Sequence, residues 1–329
     1  MKSSISDKTG TGTRLSNFWK RKSEYSYWLY RFKWNYYPSL RILNCAPLHV
    51  DIEVTDACNL RCIMCIHGLG GVTDVGFIDR ALAVKAIDQC SELGVYSIKF
   101  NFRGEPLLHP DIAYFVRYAK EKNIMEVQFN TNGLPISKQG IEELIDAGLD
   151  RIIFSVDGAN KETYERIRVG GNFDRLLGNI DTFLDIKRDK CLKRPFIRVQ
   201  MVKYYGAEDE ADQFIDYWTN KKVDNIAIIQ KQDRENKEGY PLKDGKRPTG
   251  RTFCEQPWQR LNVNRDGKVL MCCGDWDRKV IVGDLSEQTL REIWKSRRLK
   301  SLRSKISKGM LDKIPSCKNC FRPTTYRWD

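Results

Sequence analysis

Between residues 49 and 230, short β-rich runs alternate with helical patterns, and nothing else in the chain constrains its fold as tightly. "HVDIEVT" opens the series. "SIKFNF", "EVQFNTNG", "RIIFSVDG", "FIRVQMV" and "NIAIIQ" follow it. Between them lie the helical patterns "DRALAVKAIDQCSELG", "IAYFVRYAKEKN", "KQGIEELIDAGL", "FDRLLGNIDTFLDIKRDK" and "EDEADQFIDYWTNK". A helix between successive strands returns the chain to the same end of the sheet, so the strands run parallel with right-handed crossovers. Six units fall short of the eight that close a barrel. The expected fold class is α/β, an open, partial (β/α)6 barrel over residues 49–230. Its loops at the carboxyl ends of the strands should carry the chemistry.

The flanks differ. Residues 1–48 combine a polar tail with an amphipathic helix. Tyr25, Trp28, Leu29, Phe32 and Tyr36 form one helical stripe, expected to dock on the body of the protein, with a membrane-surface helix as the minor reading. Residues 231–253 are charged and rich in Gly and Pro, a linker or active-site loop. From residue 254 the pattern changes to short β elements around a turn at Asp266–Gly267, one helix over 286–306 and a Cys-rich tail. Residues 254–329 are expected to form a second, small domain. No run of apolar residues is long enough to span a bilayer, and the first residues lack a secretory apolar core, so the expected location is cytoplasmic.

Eleven cysteines in such a chain point to metal or redox chemistry rather than a disulfide framework. Cys58, Cys62 and Cys65 follow the first strand with the spacing C-x3-C-x2-C. Cys254, Cys272, Cys317 and Cys320 form a second set, and Cys273 adjoins it. Cys45, Cys90 and Cys191 read as packing thiols. Three thiolates can hold a [4Fe–4S] cluster by three of its irons, leaving the fourth for another ligand. A zinc site completed by a residue such as His67 is the competing reading. The net charge of +13 admits nucleic acid, an anionic membrane surface or an anionic small substrate. No interleaved base-stacking aromatics are present, so no nucleic-acid partner is expected.

The three-cysteine loop after a first β-strand resembles that of the radical S-adenosylmethionine (SAM) superfamily. In that family the methionine part of SAM chelates the open iron, and reductive cleavage frees a 5′-deoxyadenosyl radical. The resemblance extends to other strand ends. "FNFRGEPLLHP" is similar to the family's GGEP element, with Arg103 in place of the first glycine. It implies that Gly104 lets backbone approach the ligand and that Glu105 accepts the SAM ammonium. It also implies SAM contacts at Ser155 and Asp157 of "FSVDG", at Asn132 of "FNTNG" with Asn130 nearby, and at Met64 beside the adenine. A reductant such as flavodoxin or ferredoxin is implied as partner.

"CEQPW…DGKVLMCCGD…SCKNCF" resembles the C-terminal SPASM domain of these enzymes, in the shortened "twitch" form of the family's aminocyclitol alcohol dehydrogenases. No cysteine follows Cys320, so the resemblance implies one auxiliary [4Fe–4S] cluster, on Cys254, Cys272, Cys317 and Cys320. A four-cysteine zinc site and Cys273 in place of Cys272 remain open. The leading expectation is dehydrogenation of a hydroxylated small molecule: a sugar, aminocyclitol or nucleotide-sugar. A radical SAM epimerase, with Cys273 as hydrogen donor, or a peptide-modifying enzyme is the alternative. A zinc-stabilised nucleic-acid-binding protein is the alternative from another class. Gln230, Gln232, Arg234 and Arg260 are candidate substrate contacts on loops near the mouth.

Overall fold

The computed structural model describes residues 4–6, 24–72, 74–203, 209–230, 253–318 and 320. The expected polar tail (apart from 4–6), the 231–252 loop with Gln232 and Arg234, and the side chains of Tyr25 and Gln230 lie outside the described residues.

The alternation produces its parallel strands. β2 (His49–Ile52), β3 (Ser97–Lys99), β4 (Glu126–Thr131), β5 (Arg151–Ser155), β6 (Phe196–Lys203) and β7 (Asn225–Gln230) lie side by side in sequence order. All their pairings are parallel. The short β1 (Ser4–Ser6) extends the β7 edge in parallel. The returning helices are α2 (Arg80–Glu92), α3 (Ile112–Glu121), α4 (Lys138–Asp146), α6 (Phe173–Asp189) and α7 (Ala211–Asn220). A further short helix, α5 (Lys161–Ile167), precedes α6. α2 starts where Asp79 accepts from the Ala81 and Leu82 amides, and α6 where Asn172 accepts from Arg175 N.

Each strand divides its residues between two faces. Val50, Ile52, Val127, Phe129, Ile197, Val199 and Met201 enter the core that the helices cover. The alternate positions are polar: His49 and Asp51 on β2, Gln128 and Asn130 on β4, Arg198 and Gln200 on β6. Several of these line one cavity of about 40 Å3 with Lys99 and Arg151. The inner face of this open, partial barrel is therefore mostly polar, with Ile153 among the side chains lining the cavity.

α1 (Glu24–Tyr36) closes the floor of that interior, by a different face from the one expected. Tyr27, Tyr30 and Trp34 are buried, whereas Trp28, Phe32 and Tyr36 are exposed. Tyr30 stacks on Tyr96 at 5.3 Å, and Arg260 lies over Trp34 at 5.1 Å. The floor is polar as well as apolar. It takes side chains that combine an apolar body with a polar tip, which Leu29 and Phe32 of the expected stripe lack.

The C-terminal segment joins the same sheet. After a short helix, α8 (Gln256–Gln259), β8 (Arg260–Val263) pairs in parallel with β2, and β9 (Lys268–Leu270) and β10 (Ile281–Asp284) continue antiparallel. Gly267, at φ 82°, makes the expected Asp-Gly turn. The single helix expected over 286–306 is two, α9 (Leu290–Lys295) and α10 (Arg297–Ser307). Ser296 breaks it: its extended ψ of 151° stops α9, and its hydroxyl accepts from Leu299 N to start α10. Among the described residues no helix is long and apolar enough to cross a membrane.

Candidate active site

The loop after β2 carries Cys58, Cys62 and Cys65 at the carboxyl ends of the strands. Two hydrogen bonds fix it from outside, from Arg61 N to Val169 O (2.9 Å) and from Ile63 N to Ile167 O (3.1 Å). Gly68 closes it; a Cβ there would lie 2.1 Å from Cys62 O. Burial pushes the Cys58 thiol up to about 12 and raises Cys62 as well. Thiols so desolvated ionise readily only against a compensating cation. Among the described residues no three His, Cys, Asp or Glu side chains converge tightly enough to hold a single metal ion. His67 is buried with Nε2 lacking a partner and does not complete a zinc site with these thiols. A donor set of three separate thiols on one loop fits a multinuclear cluster better than a lone zinc ion.

The elements on neighbouring strand ends are stitched to this loop. Glu105 is buried and holds three donors: Thr131 Oγ1 (2.6 Å), Asn132 N (2.7 Å) and Leu107 N (3.1 Å). Burial raises its carboxyl to about 7. The side chain of Asn132 donates to Asn59 Oδ1 (2.9 Å) and accepts from Leu134 N (3.0 Å). Residues expected to touch SAM directly thus form a chain from Glu105 through Asn132 to Asn59, between the first two cysteines. Gly104 permits a close approach, but to protein: a Cβ would lie 2.3 Å from Thr55 O and 2.6 Å from Ala57 O. Ser155 and Met64 are half-buried on the same side, at the end of β5 and within the cysteine loop.

Asp157 is also committed to protein. It is fully buried, accepts from Val202 N (2.8 Å) and pairs with Arg168 at 2.5 and 2.9 Å. Arg168 in turn brings Nη1 to 3.9 Å from Cys62 Sγ. Sequence reasoning missed Arg168. Its only signal was a charge between two apolar neighbours in "IRV", at the C-cap of α5.

Arg103, the departure from GGEP, has a definite task. It bonds Glu53 at 2.8 and 3.0 Å and Asp56 at 3.1 Å, both carboxylates being buried. Arg265 reaches Asp56 (2.8 Å) and Arg278 reaches Glu53 (3.3 Å). Three guanidinium groups, two from the C-terminal segment, therefore clasp the two acids that precede the cysteine loop.

In the second set, Cys254 is buried and Cys272, Cys317 and Cys320 are partly so. Cys272 Sγ accepts from Gly274 N (3.2 Å). The adjacent Cys273 thiol lies 3.9 Å from Arg260 Nη1 and 3.8 Å from Gln256 Oε1. Arg260 is not on a mouth loop, as expected, but at the start of β8, where it pairs with Asp51 (3.1 Å) and lines the floor cavity.

Residues 52–206 match the radical SAM superfamily, and residues 254–321 match the SPASM iron–sulfur cluster-binding domain. The chain belongs to the radical SAM superfamily and carries a C-terminal SPASM domain. Its cofactors are accordingly a [4Fe–4S] cluster, an auxiliary iron–sulfur cluster and SAM. It is 30% identical over 277 residues to the GTP 3′,8-cyclase of Limosilactobacillus fermentum, 72% of this chain and 82% of that one. Matches to probable GTP 3′,8-cyclases of Methanococcus maripaludis cover 45% of their length. Among solved structures, BtrN in complex with AdoMet and 2-DOIA aligns with a TM-score of 0.55 at 21% identity, over 83% of this chain and 92% of that one. Streptococcus suis SuiB bound to S-adenosylmethionine aligns with a TM-score of 0.59 at 16% identity, over 84% and 72%.

Proposed function

We propose that this enzyme abstracts hydrogen from a hydroxylated small molecule held in the barrel and oxidises it to a carbonyl compound. Cys58, Cys62 and Cys65 hold the SAM-binding cluster, and Cys254, Cys272, Cys317 and Cys320 the auxiliary one. When bound, these groups supply a 5′-deoxyadenosyl radical and an electron acceptor. A carbinol that loses its hydrogen atom to that radical still has one proton and one electron to give up before it becomes a carbonyl. Four protein thiolates leave the auxiliary site no open position for substrate, which suits it to taking that electron.

The observation that carries this reading is the polar interior. Asn130 Oδ1, Gln200 Oε1 and both amide atoms of Asn264 are buried without a hydrogen-bond partner in the protein. Such groups are costly unless a ligand or water answers them. They suit a small substrate rich in hydroxyl or amine groups.

A second reading, epimerisation, is favoured by one observation. The Cys273 thiol lies against Arg260 on the inner side of β8, where it could return a hydrogen atom to a substrate radical. The test incubates the anaerobic enzyme with SAM and dithionite in deuterated water, against aminocyclitols, sugars, nucleotide-sugars and GTP. Dehydrogenation predicts a product lighter by two hydrogens. A product that gains one deuterium without oxidation, or a cyclised product of GTP, contradicts it.

A further inference from the structure

Of the eleven exposed large apolar side chains among the described residues, six lie within residues 28–43: Trp28, Phe32, Tyr36, Leu40, Ile42 and Leu43. The aromatic three form a continuous row on α1, with Trp28 stacked on Phe32 at 5.4 Å and Phe32 against Tyr36 at 4.9 Å. The opposite face of α1 is spent on the barrel floor, so this row points away from the barrel and from the cysteine loops at its other end.

The surroundings are basic. α9 reaches this segment directly, with Trp294 Nε1 donating to Asn44 O at 2.9 Å. Residues 290–308, "LREIWKSRRLKSLRSKISK", hold eight Lys or Arg and one acid. Of these, Arg291, Lys295, Arg297, Arg298, Lys300 and Lys308 are exposed. Arg41, beside the Leu40–Leu43 tip, is exposed as well, whereas Arg31 lines the floor cavity and Lys33 donates to the Tyr96 hydroxyl.

We infer that this face docks on an anionic phospholipid surface, seating the aromatic row and the Leu40–Leu43 tip at the headgroup boundary while the α9–α10 cations meet lipid phosphates. Trp and Tyr favour that boundary, and cations near it add attraction to anionic lipid. α1 is already folded against the barrel, so docking has no helix to order. A second copy of the chain fits less well. The contact would bring the basic residues of both copies together. Nucleic acid fits less well too, because Leu40, Ile42 and Leu43 offer a base neither a stacking plane nor a hydrogen bond. The mouth of the barrel would then face away from the bilayer.

The test is flotation of the full-length protein with phosphatidylcholine vesicles, with and without phosphatidylglycerol. The expected result is co-flotation only with the anionic vesicles, weakened by salt. It should fall by at least about tenfold in Trp28→Ser/Phe32→Ser/Leu40→Ser, and also in Arg297→Glu/Arg298→Glu/Lys300→Glu. Circular dichroism and SAM cleavage should be unchanged in both variants. Absence of flotation, or equal flotation of the apolar variant, overturns the inference. So does a dimer in light scattering that the apolar variant abolishes, or transfer RNA binding that it abolishes.

Discussion

Glu105 carries a structural task, holding Thr131, Asn132 and Leu107, beside the SAM contact expected of it. The GEP element was visible in the sequence, but the donors that would occupy its carboxylate came from residues 131 and 132, on another strand end. Glu105→Ala strands the Thr131 hydroxyl and the Asn132 amide, at about 1–3 kcal/mol for each unanswered group. A fall of that size in chemical-denaturation stability is expected, together with weaker SAM binding by calorimetry. Weaker binding at unchanged stability would return Glu105 to a purely ligand-facing role. Arg168 is the converse case, a residue whose part depends on a contact that no local pattern displays. Replacing it with Met removes a cation from beside Cys62, and electrostatics near cluster sulfur tunes potential. The cluster in Arg168→Met should become harder to reduce, with a lower midpoint in an EPR-monitored titration; an unchanged midpoint would confine Arg168 to a structural pairing with Asp157.

At the level of elements, period-2 and period-3.6 patterns placed β2 to β7 and their return helices well, because each strand's core face is apolar. What they did not reveal was the character of the other face. Lys99 on β3 is an example: burial lowers its ammonium to about 8, from an ordinary value near 10.5. A lysine whose folded value is depressed disfavours the folded state while charged. Its cost is fully present below pH 8 and is relieved as pH rises to 10.5, where the unfolded chain also loses its proton. Stability measured from pH 8 to 10.5 should therefore climb in the wild type relative to Lys99→Met. Parallel profiles would mean that the ammonium is well solvated. α1 failed for a related reason. Periodicity turns its more apolar stripe inward, but the surface it meets contains His49, Glu126 and Arg151, and Tyr27, Tyr30 and Trp34 line it instead.

Across the whole molecule, the C-terminal segment is fastened to the barrel by β8 on β2 and by the clasp of Arg103, Arg265 and Arg278 on Glu53 and Asp56. The sequence signalled a change of pattern at residue 254. It could not signal the joining of the sheets, because parallel pairing between β2 and β8, some two hundred residues apart, leaves no local mark. Arg103→Gly, which restores the glycine of GGEP, leaves two buried carboxylates short of a partner and should destabilise the protein by on the order of 3 kcal/mol. The cost should shrink in the Arg103→Gly/Glu53→Gln double variant, and additive losses would argue against the clasp.

Iron content and 5′-deoxyadenosine, measured together, decide whether Cys58, Cys62 and Cys65 form the SAM-cleaving centre while the second cysteine set holds an independent cluster. Anaerobically reconstituted wild type should hold about eight irons and cleave SAM under dithionite. Cys58→Ala/Cys62→Ala/Cys65→Ala should keep about four irons and form no 5′-deoxyadenosine. Cleavage that persists in the triple variant, or wild-type protein that takes up zinc and no iron, would overturn this assignment of the cysteines.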